Sequence, residues 1–210
     1  MQYILLVLCL LLFVVLLMPL SILGHELGHA LAMMKHHSHE KPIILCLGCK
    51  MTFDSRTGKY YRPTSSWTMR WPRLLLIVAP SPRAAFFGLT YGQERLRVLH
   101  RFWMLLAGPL TSMGLTLAWS AGAWCLFHVA SLAQMHLETF WLQVAQAVFF
   151  LCCASASYNG LLFFLSILPI PNRTRRSLAH KAALFASGGD GYQLLSLWRE
   201  RLRGSGQTRG

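Results

Sequence analysis

Leu20-Ser21-Ile22-Leu23-Gly24-His25-Glu26-Leu27-Gly28-His29-Ala30-Leu31-Ala32-Met33-Met34 closes an apolar run that starts near Tyr3 and holds no Lys or Arg before Lys35. From Tyr3 to Leu23 the run carries no charge at all, and it is long enough to cross a bilayer as a helix. No basic residue precedes it and no small-x-small cleavage site follows, so it reads as a retained span rather than a leader. His25, Glu26 and His29 break the apolar pattern near its end. If Lys35 marks the membrane interface, His29 lies roughly 9 Å inside it at helical rise. Ionisable groups at that depth are costly and usually functional.

Two further apolar blocks have the length of spans, about 102–130 and about 139–168, the second closed by Pro169 and Pro171. Arg73 to Ala79 is apolar but cut short by Pro80 and Pro82, and reads as a strand or a surface-lying segment. The charge balance fits the same picture. The chain carries 20 Lys and Arg against 7 Asp and Glu, and only 13% of it is charged. Residues 35–101 hold 12 of the basic residues and 173–209 the other 8, while the hairpin at 131–138 holds none. The positive-inside rule therefore places the loop 35–101 and the tail 169–210 in the cytoplasm. The basic segments would meet anionic head groups of the bilayer. No zinc-finger repeat, glycine-rich RNA-binding signature or basic heptad helix accompanies them, so nucleic acid is not the expected partner.

Within the loop, Ile43 to Phe53 is followed by Ser55-Arg56-Thr57-Gly58 and Lys59-Tyr60-Tyr61-Arg62, a pattern that predicts a β-hairpin. An edge strand of that hairpin could hold an unwound substrate segment. Cys46 and Cys49 form a lone CxxC, better read as strand residues than as half of a structural zinc site. His36-His37-Ser38-His39 reads as a solvated interfacial turn. The Gly- and Arg-rich end from Gly204 to Gly210 predicts disorder.

His25-Glu26-Leu27-Gly28-His29 is an HExxH motif. Histidines at i and i+4 share one helical face, so both imidazoles can reach one zinc ion. Glu26 beside the first ligand can take a proton from the attacking water and later deliver it to the leaving amine. A catalytic zinc needs a third protein ligand. Asp190 follows the inner end of the third span and is on the correct side to reach the metal. Glu94 and Glu200 compete for that place, Glu138 falls on the wrong side, and Asp54 sits in the predicted hairpin loop.

Three segments resemble the site-2 protease family of intramembrane metalloproteases (the M50 peptidases). They are Gly24-His25-Glu26-Leu27-Gly28-His29-Ala30, then Ala107-Gly108-Pro109-Leu110-Thr111, similar to the family's AGP segment, then Asp190-Gly191, similar to its DG motif. The resemblance implies zinc held by His25, His29 and Asp190, with Glu26 as general base. It also implies a three-helix core and cleavage of transmembrane protein substrates within or near their membrane segments. The family's Asn-x-x-Pro before Asp-Gly is Ser166-Ile167-Leu168-Pro169 here, with Ser in place of Asn. Ser166, or Asn159 seven residues earlier, is expected to take over the support of oxyanion or substrate. Loss of a good oxyanion donor costs about two to three orders of magnitude in rate. Gly108-Pro109 could be a kink or a place of close helix approach.

The expectation is thus one membrane-embedded domain over residues 1–210. It is an all-α polytopic membrane protein with spans at about 3–34, 102–130 and 139–168, a three-helix catalytic core and a small cytoplasmic-side β-hairpin. Compact size suggests a bacterial inner membrane. Two alternatives stand beside it: a non-catalytic metal-binding partner of membrane proteins, and a membrane-bound HExxH protease with a Glu third ligand and soluble substrates.

Overall fold

The computed structural model describes residues 2–35, 42–48, 52–54, 59–61, 66–79, 88–91, 98–133, 139–169 and 190–207. His36, His37, His39, Cys49, the turn at 55–58, Glu94 and Glu138 lie outside them. The first apolar run is one helical rod: α1 (Gln2–Leu12), a π-helical turn (Phe13–Leu17) and α2 (Met18–Met34). Pro19 stands in the first turn of α2, directly after the π-helical turn. The long helices α3 (Val98–Ala133) and α4 (Thr139–Ile167) follow, the latter running out at Pro169. Among the described residues, three helices are long and apolar enough to cross a membrane: Val7–Met34, Val98–Val129 and Trp141–Ile167. Each matches an expected span to within a few residues.

Small residues let these helices touch. A side chain at Gly24 would meet Leu115, and one at Gly28 would fall 2.8 Å from the Ala107 carbonyl and 2.3 Å from Thr111 Oγ1. Gly24 and Gly28 are one turn apart and face Leu115 and Thr111 in reverse order, so α2 and α3 run antiparallel with their backbones close. Large side chains point outward from all three helices, among them Leu8, Val15, Leu117, Phe127, Leu161 and Phe164.

The part between α2 and α3 differs from expectation. It is not a single hairpin but a four-stranded mixed sheet in the order β4-β5-β1-β6, with a separate two-stranded hairpin β2-β3. The fold is therefore mostly helical, as expected, and its small β element is a mixed sheet rather than a single hairpin. β1 (Ile43–Leu47) runs parallel to β5 (Leu74–Val78) and antiparallel to β6 (Gly88–Tyr91). β4 (Trp67–Arg70) lies outside β5. The predicted hairpin survives only as β2 (Thr52–Asp54) on β3 (Lys59–Tyr61). Ile43–Leu47 is apolar at every position and buried at every position, which suits a central strand covered on both faces and not one arm of a hairpin. One face joins Ile43, Leu45 and Leu47 to Leu76, Met33, Met104 and Leu105; the other joins Ile44 and Cys46 to Ile77.

The second departure is α5 (Asp190–Gln207), a helix where the sequence suggested a tail with a disordered end. Leu197, 2% exposed, anchors it in the same core as β1 and α3. Tertiary packing thus overrides the weak helix propensity of its glycines.

Leu45 is fully buried at the centre of the sheet and Met69 is 60% exposed at its edge. Leu45→Ala should cost about 2–5 kcal/mol by lost burial and cavity formation. Met69→Ala should cost well under that. Thermal unfolding of the purified variants in detergent checks the ranking.

Candidate metal centre

Two elements from distant parts of the chain, α2 and α5, bring His25, His29 and Asp190 together, with potential ligand atoms all within 4.8 Å of one another. His25 Nε2 is 3.2 Å and His29 Nε2 3.3 Å from the same oxygen, Asp190 Oδ2. The two imidazoles are nearly perpendicular, 4.9 Å between centroids, and both are buried.

Each ring is aimed by its other nitrogen. His29 Nδ1 donates to the Met104 carbonyl at 2.7 Å. A carbonyl can only accept, so a proton is on Nδ1, and a ring carrying no second proton would present a lone pair at Nε2. That lone pair faces an oxygen of a carboxylate. Two acceptors at 3.3 Å repel unless a second proton or a cation sits between them. His25 Nδ1 is 2.8 Å from Ser112 Oγ, which is fully buried on α3. With Nδ1 donating there, His25 presents the same kind of lone pair to the same oxygen. One divalent cation would satisfy all three groups together. Burial by itself would raise the Asp190 carboxyl. With no cation between them, protonated imidazoles would meet the carboxylate instead: hydrogen bonds from His25 and His29, with their charges, outweigh burial and hold the group well below the usual carboxylate range, so it stays ionised.

Two glycines leave room for this junction. A Cβ on Gly108 would lie 2.2 Å from His29 Nε2, so the AGP segment is a cradle for a ligand ring and close approach is its role. A Cβ on Gly191 would lie 1.8 Å from the Ile167 carbonyl. The start of α5 therefore rests directly on the last turn of α4, which places Asp190 against the histidines.

Glu26 is buried on α2 but stands outside the ligand cluster. Thr90 on β6 holds it: Thr90 Oγ1 is 2.8 Å from Glu26 Oε2 and 3.0 Å from the Glu26 carbonyl. The carboxylate is thereby fixed beside His25.

Asn159 is fully buried on α4, where its amide donates to Ser21 Oγ at 3.0 Å and to the Ser155 carbonyl at 2.8 Å. It links α4 to α2 one turn before His25. Ser166 is half-buried in the last turn of α4, one residue before the Ile167 carbonyl on which Gly191 rests. Asp54 ends β2, paired with Lys59. Glu200 is about 15 Å further along α5 than Asp190 at helical rise. Sequence reasoning missed Ser112, Met104 and Thr90. Ser112 directly follows the AGPLT segment, which hinted at it; a backbone carbonyl and a strand threonine leave no pattern to read.

No protein-family model, curated protein or solved structure matches the chain.

Ser112→Ala should weaken metal affinity by about 10–100-fold, as removal of an orienting partner does elsewhere. Gly108→Ala should strip the metal from the purified protein. Gly114→Ala, on the same helix with nothing within 4 Å of its Cβ, should leave metal content unchanged. Elemental analysis after dialysis against a weak chelator distinguishes the three.

Proposed function

We propose that the chain is a membrane-embedded zinc metalloprotease of the site-2 protease type, hydrolysing peptide bonds of membrane proteins within or near their transmembrane segments. One observation carries the reading: the HExxH histidines and Asp190 point three ligand atoms at one place, with a buried glutamate beside it. Two imidazoles and a carboxylate suit zinc. Zinc ligands about 2.0–2.1 Å from a tetrahedral ion stand about 3.3 Å apart, and the His–Asp spacings of 3.2 and 3.3 Å agree with that. The outward apolar belt on the three long helices supports a membrane setting, because soluble monomers rarely expose contiguous apolar surface on this scale.

In this reading His25, His29 and Asp190 hold the ion, which supplies Lewis acidity toward water and the scissile carbonyl. Glu26 accepts a proton from the attacking water and passes it to the departing amine nitrogen. Thr90 keeps the Glu26 carboxylate in one position through both transfers. β1, paired on both sides, has no edge to offer a substrate. β6 is the sheet edge that carries Thr90, and an extended substrate would best lie along it. The basic loop and tail, with α5, would face the cytoplasm of a bacterial inner membrane. Asn159 serves helix packing in this scheme.

A second reading, a metal-stabilised membrane partner without catalysis, shares the ligand set and differs only at Glu26. The variant with a Glu third ligand is less favoured, because Asp190 already fills that place.

Glu26→Gln should keep its metal and abolish cleavage; Asp190→Ala should lose both. The test compares membrane-protein fragments, by mass spectrometry, in cells carrying wild type or Glu26→Gln. Identical fragment patterns would leave only the non-catalytic reading.

A further inference from the structure

The outermost strand of the sheet carries an apolar row that covers nothing. Trp67, Met69 and Trp71 are 72%, 60% and 48% exposed. They alternate along β4 and into its turn, so they share one face. The register says which face. Trp67 pairs with Val78 and Met69 with Leu76, and the same two residues of β5 pair with Leu47 and Leu45 of β1. Trp71 closes the turn against Leu74 through backbone bonds in both directions. Leu45, Leu47 and Leu76 are the residues that pack on Met33, Met104 and Leu105. The row is therefore the continuation of the sheet's helix-facing surface, carried past the helices. Thr68 and Arg70 alternate with it and lie on the opposite face, paired with Ile77 and Leu75.

The level of this strand relative to the helices is also set. Arg73, in the turn after Trp71, donates through its guanidinium to the Met34 carbonyl at the end of α2, next to Lys35. That is where the first apolar helix ends and charge resumes.

We infer that β4 is an interfacial anchor whose Trp67–Met69–Trp71 face lies in the bilayer's head-group layer, with Arg70 turned toward water and anionic lipid. Tryptophan prefers that layer because its ring is amphipathic. β4 is the edge of the sheet, and edge backbone groups need water, which the head-group layer offers and the hydrocarbon does not. An anchor here fixes the tilt of the sheet over the end of α2, and through β6 and Thr90 the setting of Glu26.

The inference rests on the reading that the long helices cross a membrane, but not on zinc or proteolysis. The full chain, labelled with fluorotryptophan, is placed in bicelles of phosphatidylcholine and phosphatidylglycerol. Fluorine resonances are assigned with Trp67→Phe, Trp71→Phe and Trp124→Phe. Trp124, 65% exposed on α3, reports the membrane setting itself. Lipid spin-labelled near its head group should erase the Trp67 and Trp71 signals, while an aqueous gadolinium chelate should spare them. Signals erased by gadolinium and spared by lipid would place the row in water and overturn the anchor. Signals spared by both would mean protein covers the row, a second copy included, and would overturn it equally. If Trp124 also escapes the lipid label at every depth, the spanning reading itself has failed.

Discussion

The junction between His29 Nε2 and Asp190 Oδ2 is the constraint around which the molecule is arranged. It sets a lone pair against a carboxylate in a buried place, a contact that is tolerable only with positive charge between them. Nothing local to either residue would produce it. His29 is held by a carbonyl on α3, and Asp190 by the abutment of α5 on α4. Each helix in the bundle therefore contributes to one electrostatic problem, and a divalent ion held by the three groups would solve it.

Glycine makes the arrangement sterically possible. Gly24 and Gly28 bring α2 against α3, Gly108 leaves space for the His29 ring, and Gly191 lets α5 start on the end of α4. In lipid, where apolar helices have little hydrophobic drive to associate, such close approach would supply much of the association energy through dispersion. The same approach delivers the ligands, so stability and site geometry are linked at the same positions.

The sheet adds control from the side. β6 supplies the Thr90 hydroxyl to Glu26, and β1 and β5 tie that strand to the helices through a shared apolar core. Because Glu26 stands outside the group formed by His25, His29 and Asp190, one short helical stretch carries two separately held sets of side chains, which under the proposed function would divide metal holding from proton handling. A strand that moved would disturb the second without the first.

The sequence by itself determined the three long apolar helices, their boundaries to a few residues, and the candidates His25, Glu26, His29 and Asp190. Those depend on length, periodicity and i,i+4 spacing, which are local properties of a chain. Only the tertiary structure decided that Ile43–Leu47 is a central strand, because its partners Leu74–Val78 and Gly88–Tyr91 are far away in the chain and its own apolar run fits several pairings. Tertiary packing likewise decided that 190–207 is a helix, that Gly108 is a cradle rather than a kink, and that Asn159 binds Ser21. The orienting partners Ser112, Met104 and Thr90 were beyond the sequence for one physical reason: a hydrogen bond across 64 to 87 residues leaves no mark on the spacing of either partner.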